Sequence, residues 1–151
     1  MNYKQIFASW FGLGLLMLAL QYAFQYVFHL IGFTGIRSLA IVLSGFTASM
    51  IFTHYFYRRI MSPAFKIYAI LTTFFLSIII ASGIIMSNPD LRSALQALLN
   101  SIFKGPDTKT YVFTIAFMIG ILLIQFAVWY LFITMGNKQM VKHLQKEAHK
   151  Q

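Results

Sequence analysis

The run Ile67–Met86, IYAILTTFFLSIIIASGIIM, contains no acidic residue, no lysine or arginine and no histidine. At 1.5 Å per residue, a helix of about 20 residues reaches about 30 Å, the thickness of a bilayer's hydrocarbon core. A strand or a soluble core helix has no use for so long an uninterrupted apolar run, whereas a membrane-crossing helix requires one. Three further segments fit the same template: Ile6–Leu30, Leu39–Tyr57 and Tyr111–Met135. They are separated by GFTGIRS, RRIMSPAFK and the longer SNPDLRSALQALLNSIFKGPDTKT, which have the composition of water-exposed loops. The expected fold is therefore an all-α membrane protein of one domain, residues 1–151. Four transmembrane helices form an antiparallel bundle, with a short amphipathic interfacial helix between the third and fourth.

Composition agrees. Of the 151 residues 59% are hydrophobic and only 10% charged, and the mean hydropathy is +0.72; soluble domains carry about 25% charged residues. Twelve Lys and Arg stand against Asp90, Asp107 and Glu147, for a formal charge of +9. In a soluble chain that balance would point to nucleic acid. Here the basic residues flank apolar runs, where they set orientation and meet anionic headgroups, so no nucleic-acid partner is expected. Without cysteine there are no disulfides or thiolate metal sites. The apolar run behind Lys4 is longer than the roughly 7–15 residues of a signal-peptide core, so it is expected to be kept as a span.

Orientation follows from the basic residues near the span ends. Lys4, Arg58, Arg59, Lys66, Lys138, Lys142, Lys146 and Lys150 fall on one side, and Arg37, Arg92, Lys104 and Lys109 on the other. In a bacterial inner (plasma) membrane both termini would then be cytoplasmic. Trp10, Tyr55, Tyr57, Trp129 and Tyr130 would form the inner aromatic belt, with Tyr22, Tyr26 and Tyr111 nearer the outer boundary.

Two segments outside the spans carry helical patterns. Asn88-Pro89-Asp90 supplies an N-cap, a proline at the first helical position and an acid at the positive end of the helix dipole. Leu91, Ala94, Leu95, Leu98, Leu99, Ile102 and Phe103 then recur at helical spacing before Gly105-Pro106. This predicts an amphipathic helix over 89–104 at the outer interface, lying on the membrane or docking a partner. In the basic tail, 136–151, four lysines spaced by four would continue the last helix along anionic lipid.

Spans in lipid are held together by small residues and interhelical hydrogen bonds. Gly45, Ser49 and Thr53 recur at i,i+4 on the second span; Ala69, Thr73, Ser77 and Ala81 do so on the third. The short hairpin between those spans suggests that these two rows face each other. Gln21, the polar residue well inside the first span, is expected to hydrogen-bond to another helix. Its sequence surroundings repeat around Gln125, but counting 1.5 Å per residue sets the two glutamines about 10–15 Å apart in depth. Homo-oligomerisation through one of the small-residue faces is an open alternative.

Candidate chemistry is sparse. No carboxylate lies in a span to couple proton and cation, and no Ser/His or paired-Asp arrangement suits intramembrane proteolysis. His29 and His54 fall on opposite sides of the bilayer; His143 and Glu147, at i,i+4, are a weak ligand set on the tail. No catalytic, cofactor or metal residue is assigned, and the chain is not expected to be an enzyme. Arg58, Arg59 and Lys66 beside the inner aromatic belt are the candidate lipid-headgroup residues.

SGFTASMIFTHYFYRRIMSPAFKIYAILTTFFLS and WYLFITMGNKQMVKHLQKEAHKQ together resemble an uncharacterised family of small four-helix inner-membrane proteins of gammaproteobacteria. The likeness covers a second helix, a basic hairpin, a small-residue third helix, and a last helix broken at Gly136 before a Lys-rich tail. Ala64-Phe65-Lys66 stands where the family's hairpin is expected to be acidic. The resemblance implies a layout and transfers no site residue. Three functions follow as expectations. The first is a non-catalytic protein binding another membrane component, as complex subunit, assembly factor or immunity protein against a pore-forming toxin. The second is an oligomeric channel or transporter lined by Gln21, Gln25, Ser49, Thr53, Thr73 and Ser77, and the third a lipid-headgroup-binding protein.

Overall fold

The structure, a computed structural model, describes residues 2–32, 37–104 and 107–150. Helix α1 covers Tyr3–Phe7, α2 Trp10–Leu30 and α3 Arg37–Phe52, which runs into a π-helical turn at Thr53–Tyr57. Helix α4 covers Pro63–Ser87, α5 Pro89–Phe103 and α6 Thr108–Ala148. No strand occurs among the described residues. Four helical stretches, Trp10–Leu30, Ser38–Tyr57, Pro63–Ser87 and Lys109–Ala148, are long and apolar enough to cross a membrane. The chain has the architecture of an all-helical, multi-pass membrane protein.

Several boundaries differ from expectation for local reasons. The first apolar run is not one helix: Ser9 adopts an extended conformation, φ −96° and ψ 176°, and separates α1 from α2. The second span ends in a wider turn, closed by a hydrogen bond from Arg58 N to Thr53 O at 2.8 Å. Arg58 itself is left-handed, at φ 46° and ψ 21°. The fourth helix does not break at Gly136 but continues to Ala148. Glycine costs a helix about 1 kcal/mol relative to alanine, yet it leaves the hydrogen-bond ladder intact. Close packing here takes advantage of the missing side chain: a Cβ on Gly136 would lie 2.6 Å from Phe46 O. The start of α5 follows its sequence. The Asn88 side chain accepts from Asp90 N at 3.0 Å and Leu91 N at 3.4 Å, with Pro89 at the first helical position.

The chain divides into two compact units, residues 1–75 with 126–151 and residues 76–125. Both α4 and α6 contribute residues to each. In the first unit Leu13 and Met17 of α2, Ala48 and Phe52 of α3, Ala69 and Ile70 of α4, and Trp129 and Ile133 of α6 form one buried core with Met61. Trp129, expected in an aromatic belt, is instead 1% exposed at its centre. Its indole Nε1 donates to Ile41 O at 2.8 Å, its ring edge meets Phe74 at 5.0 Å between centroids, and its Cδ1 lies 3.0 Å from where a Cβ on Gly45 would stand. An indole buried this deeply needs a partner for its N–H.

The second unit holds the C-terminal part of α4, all of α5 and the N-terminal part of α6. Nearly all of its described side chains are exposed. Local bonds organise its turns: Arg92 Nη2 donates to Met86 O at 2.6 Å, Lys109 N donates to Asp107 Oδ1 at 3.2 Å, and Phe103 contacts Tyr111 with ring centroids 5.4 Å apart.

Candidate functional site

The small-residue rows each find a partner, and the partners are not each other. Gly45 lies under Trp129, and Ser49 faces Gly136, both on α6. Thr53 Oγ1 accepts from Asn137 Nδ2 at 2.8 Å, extending that row down the same helix. The row on α4 meets α2 instead: a Cβ on Gly14 would stand 2.9 Å from Ala69 O and from Thr72 Cβ. The Thr73 hydroxyl lies 3.0 Å from Ala69 O and 3.1 Å from Gly14 O, so its single proton serves two carbonyls. Helical periodicity identifies which face is small, but it carries no information on which neighbour fills the space. Further along α4, Ser77 is half-buried and Ala81 exposed, both in the second unit. Gln21 does not make the expected bond through its carbonyl: Oε1 is shut away from solvent without a hydrogen-bond partner.

The three candidate headgroup cations also separate. Arg59 is exposed, with its guanidinium 4.5 Å from the Tyr57 ring centroid. Lys66 is 6% exposed; its Nζ donates to Thr134 Oγ1 at 2.9 Å and lies 4.5 Å from the centroid of Tyr130. Thr134 Oγ1 in turn donates to Tyr130 O at 2.7 Å. An ammonium tied to a hydroxyl and an aromatic face is committed to packing α4 on α6 and does not reach a headgroup beside Arg59. A count of charges near a span end cannot distinguish an inward lysine from an outward one.

Sequence reasoning passes over the residue that organises this end of the unit. Asn137, 2% exposed, accepts from Met61 N at 2.9 Å through Oδ1. Through Nδ2 it donates to Thr53 Oγ1 at 2.8 Å and to Arg59 O at 2.9 Å. One side chain thus ties α6 to the π-helical turn and to both ends of the segment Arg59–Met61. Buried amides retained in this way have their donors and acceptors satisfied. The sequence signal is Asn directly after a glycine in a long apolar helix, a pair that local propensity reads as a helix break.

Two concavities adjoin this clamp. A cleft of about 440 Å³ is walled by His54 and Arg58 on one side and by Val141, Leu144, Gln145, Glu147 and Ala148 of α6 on the other. A groove of about 360 Å³ runs along α3 past Thr47, Met50 and Ile51 to His54, with Tyr55 and Met140 at its sides. His54 borders both. The Arg58 Nε donates to His54 O at 3.1 Å, which fixes the start of its guanidinium. Glu147 lies 3.6 Å from His143 Nδ1 on the exposed surface of α6. Among the described residues no three His, Asp or Glu side chains gather as metal ligands. Comparison with protein families, curated proteins and solved structures finds no match.

Proposed function

We propose that this chain is a small non-catalytic membrane protein that works by binding another membrane component, as a complex subunit, an assembly factor or an immunity protein. The observation that carries the reading is the exposure of α6 within residues 76–125. Ile121, Leu122, Leu123 and Ile124 are 47%, 50%, 64% and 67% exposed. Four consecutive helical residues span some 300° of the helix surface, so no face of that turn is covered. Val112, Phe113, Phe117 and Met118 extend the same surface, and Ile78, Ile79 and Ile84 present a similar one on α4. Gly120 and Gly83 each have nothing within 4 Å of a notional Cβ, which leaves room for a close approach by another helix.

In this reading the four spans pack antiparallel, α5 lies at the outer interface of a bacterial inner membrane, and both termini are cytoplasmic, following the excess of basic residues on that side. A polar conduit is less well supported. Ser49, Thr53 and Thr73 are fully buried, and each is hydrogen-bonded within the chain.

Photo-cross-linking in native membranes tests the reading. A cross-linker at Phe117 or Ile79 is expected to give a discrete protein adduct, while one at Leu71, which is equally apolar and half exposed, gives none. Lipid adducts alone from all three positions would defeat it. A toxin or secretion gene beside this one would favour immunity, and an operon for a membrane complex would favour a subunit.

A further inference from the structure

We propose that the groove along α3 and the cleft beside Arg58 form one site for a phospholipid bearing a phosphoethanolamine headgroup. The inference rests on residues 1–75 and 126–151 and is independent of what binds residues 76–125.

The lining changes character along the chain as a lipid does. Met50, Ile51 and Met140 make the groove apolar, and it follows α3 for seven residues from Thr47 to His54, about 10 Å of helix. That end takes an acyl chain. Beyond His54 the wall keeps Val141, Leu144 and Ala148 but gains Arg58, Gln145 and Glu147, and this end takes a headgroup. His54 marks the boundary, at the end of the second apolar span.

Charge selects the headgroup. The cleft sets one permanent cation, Arg58, across from one carboxylate, Glu147. With Nε spent on His54 O, the Arg58 terminal nitrogens are available for a phosphate, the geometry in which a guanidinium binds best. A phosphatidylglycerol offers Arg58 the same phosphate but sets an uncharged glycerol against Glu147. A phosphoethanolamine supplies a primary ammonium to that carboxylate, donating hydrogen bonds that a choline's methyl groups cannot. The Glu147 contact with His143 is a long, exposed one, of the kind that contributes little and yields to a better partner.

The cation is also held in advance. Its left-handed backbone closes the π-helical turn, and Asn137 clamps the residues on either side through Thr53 and Arg59 O. A ligand therefore meets a formed hairpin and does not have to order one.

Native mass spectrometry of the purified full-length protein, titrated with phosphatidylethanolamine, phosphatidylcholine and phosphatidylglycerol of matched chains, tests the proposal. Phosphatidylethanolamine is expected to bind about tenfold more tightly than either of the others, which is about 1.4 kcal/mol. Arg58→Gly, which keeps the left-handed backbone, should lower binding of all three by about tenfold. Glu147→Gln should abolish the preference over phosphatidylglycerol, and Lys146→Gln, a charge change outside the cleft, should leave it intact. Circular dichroism melts confirm that each variant is folded, and Arg58→Lys serves as a conservative second variant. Equal binding of the three lipids, binding undiminished by Arg58→Gly, or a preference over phosphatidylglycerol that survives Glu147→Gln, would overturn the site.

Discussion

Helix α6 is one continuous helix of 41 residues in two environments. Up to Gln125 it buries almost nothing; from Phe126 onward it buries Trp129, Ile133, Gly136, Asn137 and Val141 at helical spacing. Hydrophobicity does not separate the halves, since the exposed one is the more apolar. The packed half differs in carrying residues that can be held: an indole that donates to Ile41 O, a glycine that admits α3, and an amide that clamps a hairpin. In lipid, apolar side chains gain little by leaving one another for acyl chains, so close fit and hydrogen bonds decide which helix faces pair.

That contrast can be broken from either side. The largest effect is expected from Gly136→Leu, which would drive a side chain into Phe46 and Ser49 and cost about 3 kcal/mol by overpacking. Reversible unfolding in mixed micelles would read it; a loss below about 1 kcal/mol would mean that α3 and α6 are less tightly apposed than described. Next comes Asn137→Leu, expected to cost about 2 kcal/mol because buried backbone groups at Met61 and Arg59 lose their partner. The matched change in the second unit, Asn100→Leu on the exposed face of α5, should stay within about 0.5 kcal/mol. Trp129→Phe keeps most of the ring packing and removes one interhelical bond, for a loss of about 1 kcal/mol in the same assay.

The smaller effects sharpen the other half. On the proposed reading, Phe117→Ala should leave the unfolding midpoint almost unchanged while weakening capture of a membrane partner in mild-detergent pull-downs. Gly120→Ala has open space around it and should stabilise the isolated protein by less than about 1 kcal/mol through helix propensity. If that added methyl also weakened partner capture, it would place the partner's backbone at Gly120.

How much of this was readable in advance depended on whether a feature is local. The spans were legible because chain length and apolarity alone define them, as at Ile67–Met86. The start of α5 was legible because Asn88, Pro89 and Asp90 act on their own backbone. Pairing was not legible: the face Gly45/Ser49/Thr53 could be read from spacing, but its contact with Trp129 and Asn137 joins residues more than 80 positions apart. Lys66 was misplaced for the same reason. Its depth along the helix was clear, whereas its direction depended on Thr134 and Tyr130 on another helix. The Gly136-Asn137 pair reads locally as a helix stop and acts tertiarily as a docking point, so local propensity gave the opposite answer.

The π-helical turn at Thr53–Tyr57 has a consequence for comparing chains of different length. It accommodates one residue more than an α-helical turn spanning the same rise, in the manner of a single insertion. Deleting one outward-facing position such as Tyr55, which is 69% exposed, would restore an ordinary α-turn while the preceding span and the following hairpin kept their places. Homologous chains that differ here by a single residue are therefore expected to share the Asn137 clamp. An ungapped alignment of such chains would set Arg58 opposite the wrong residue of the hairpin, one position out of register.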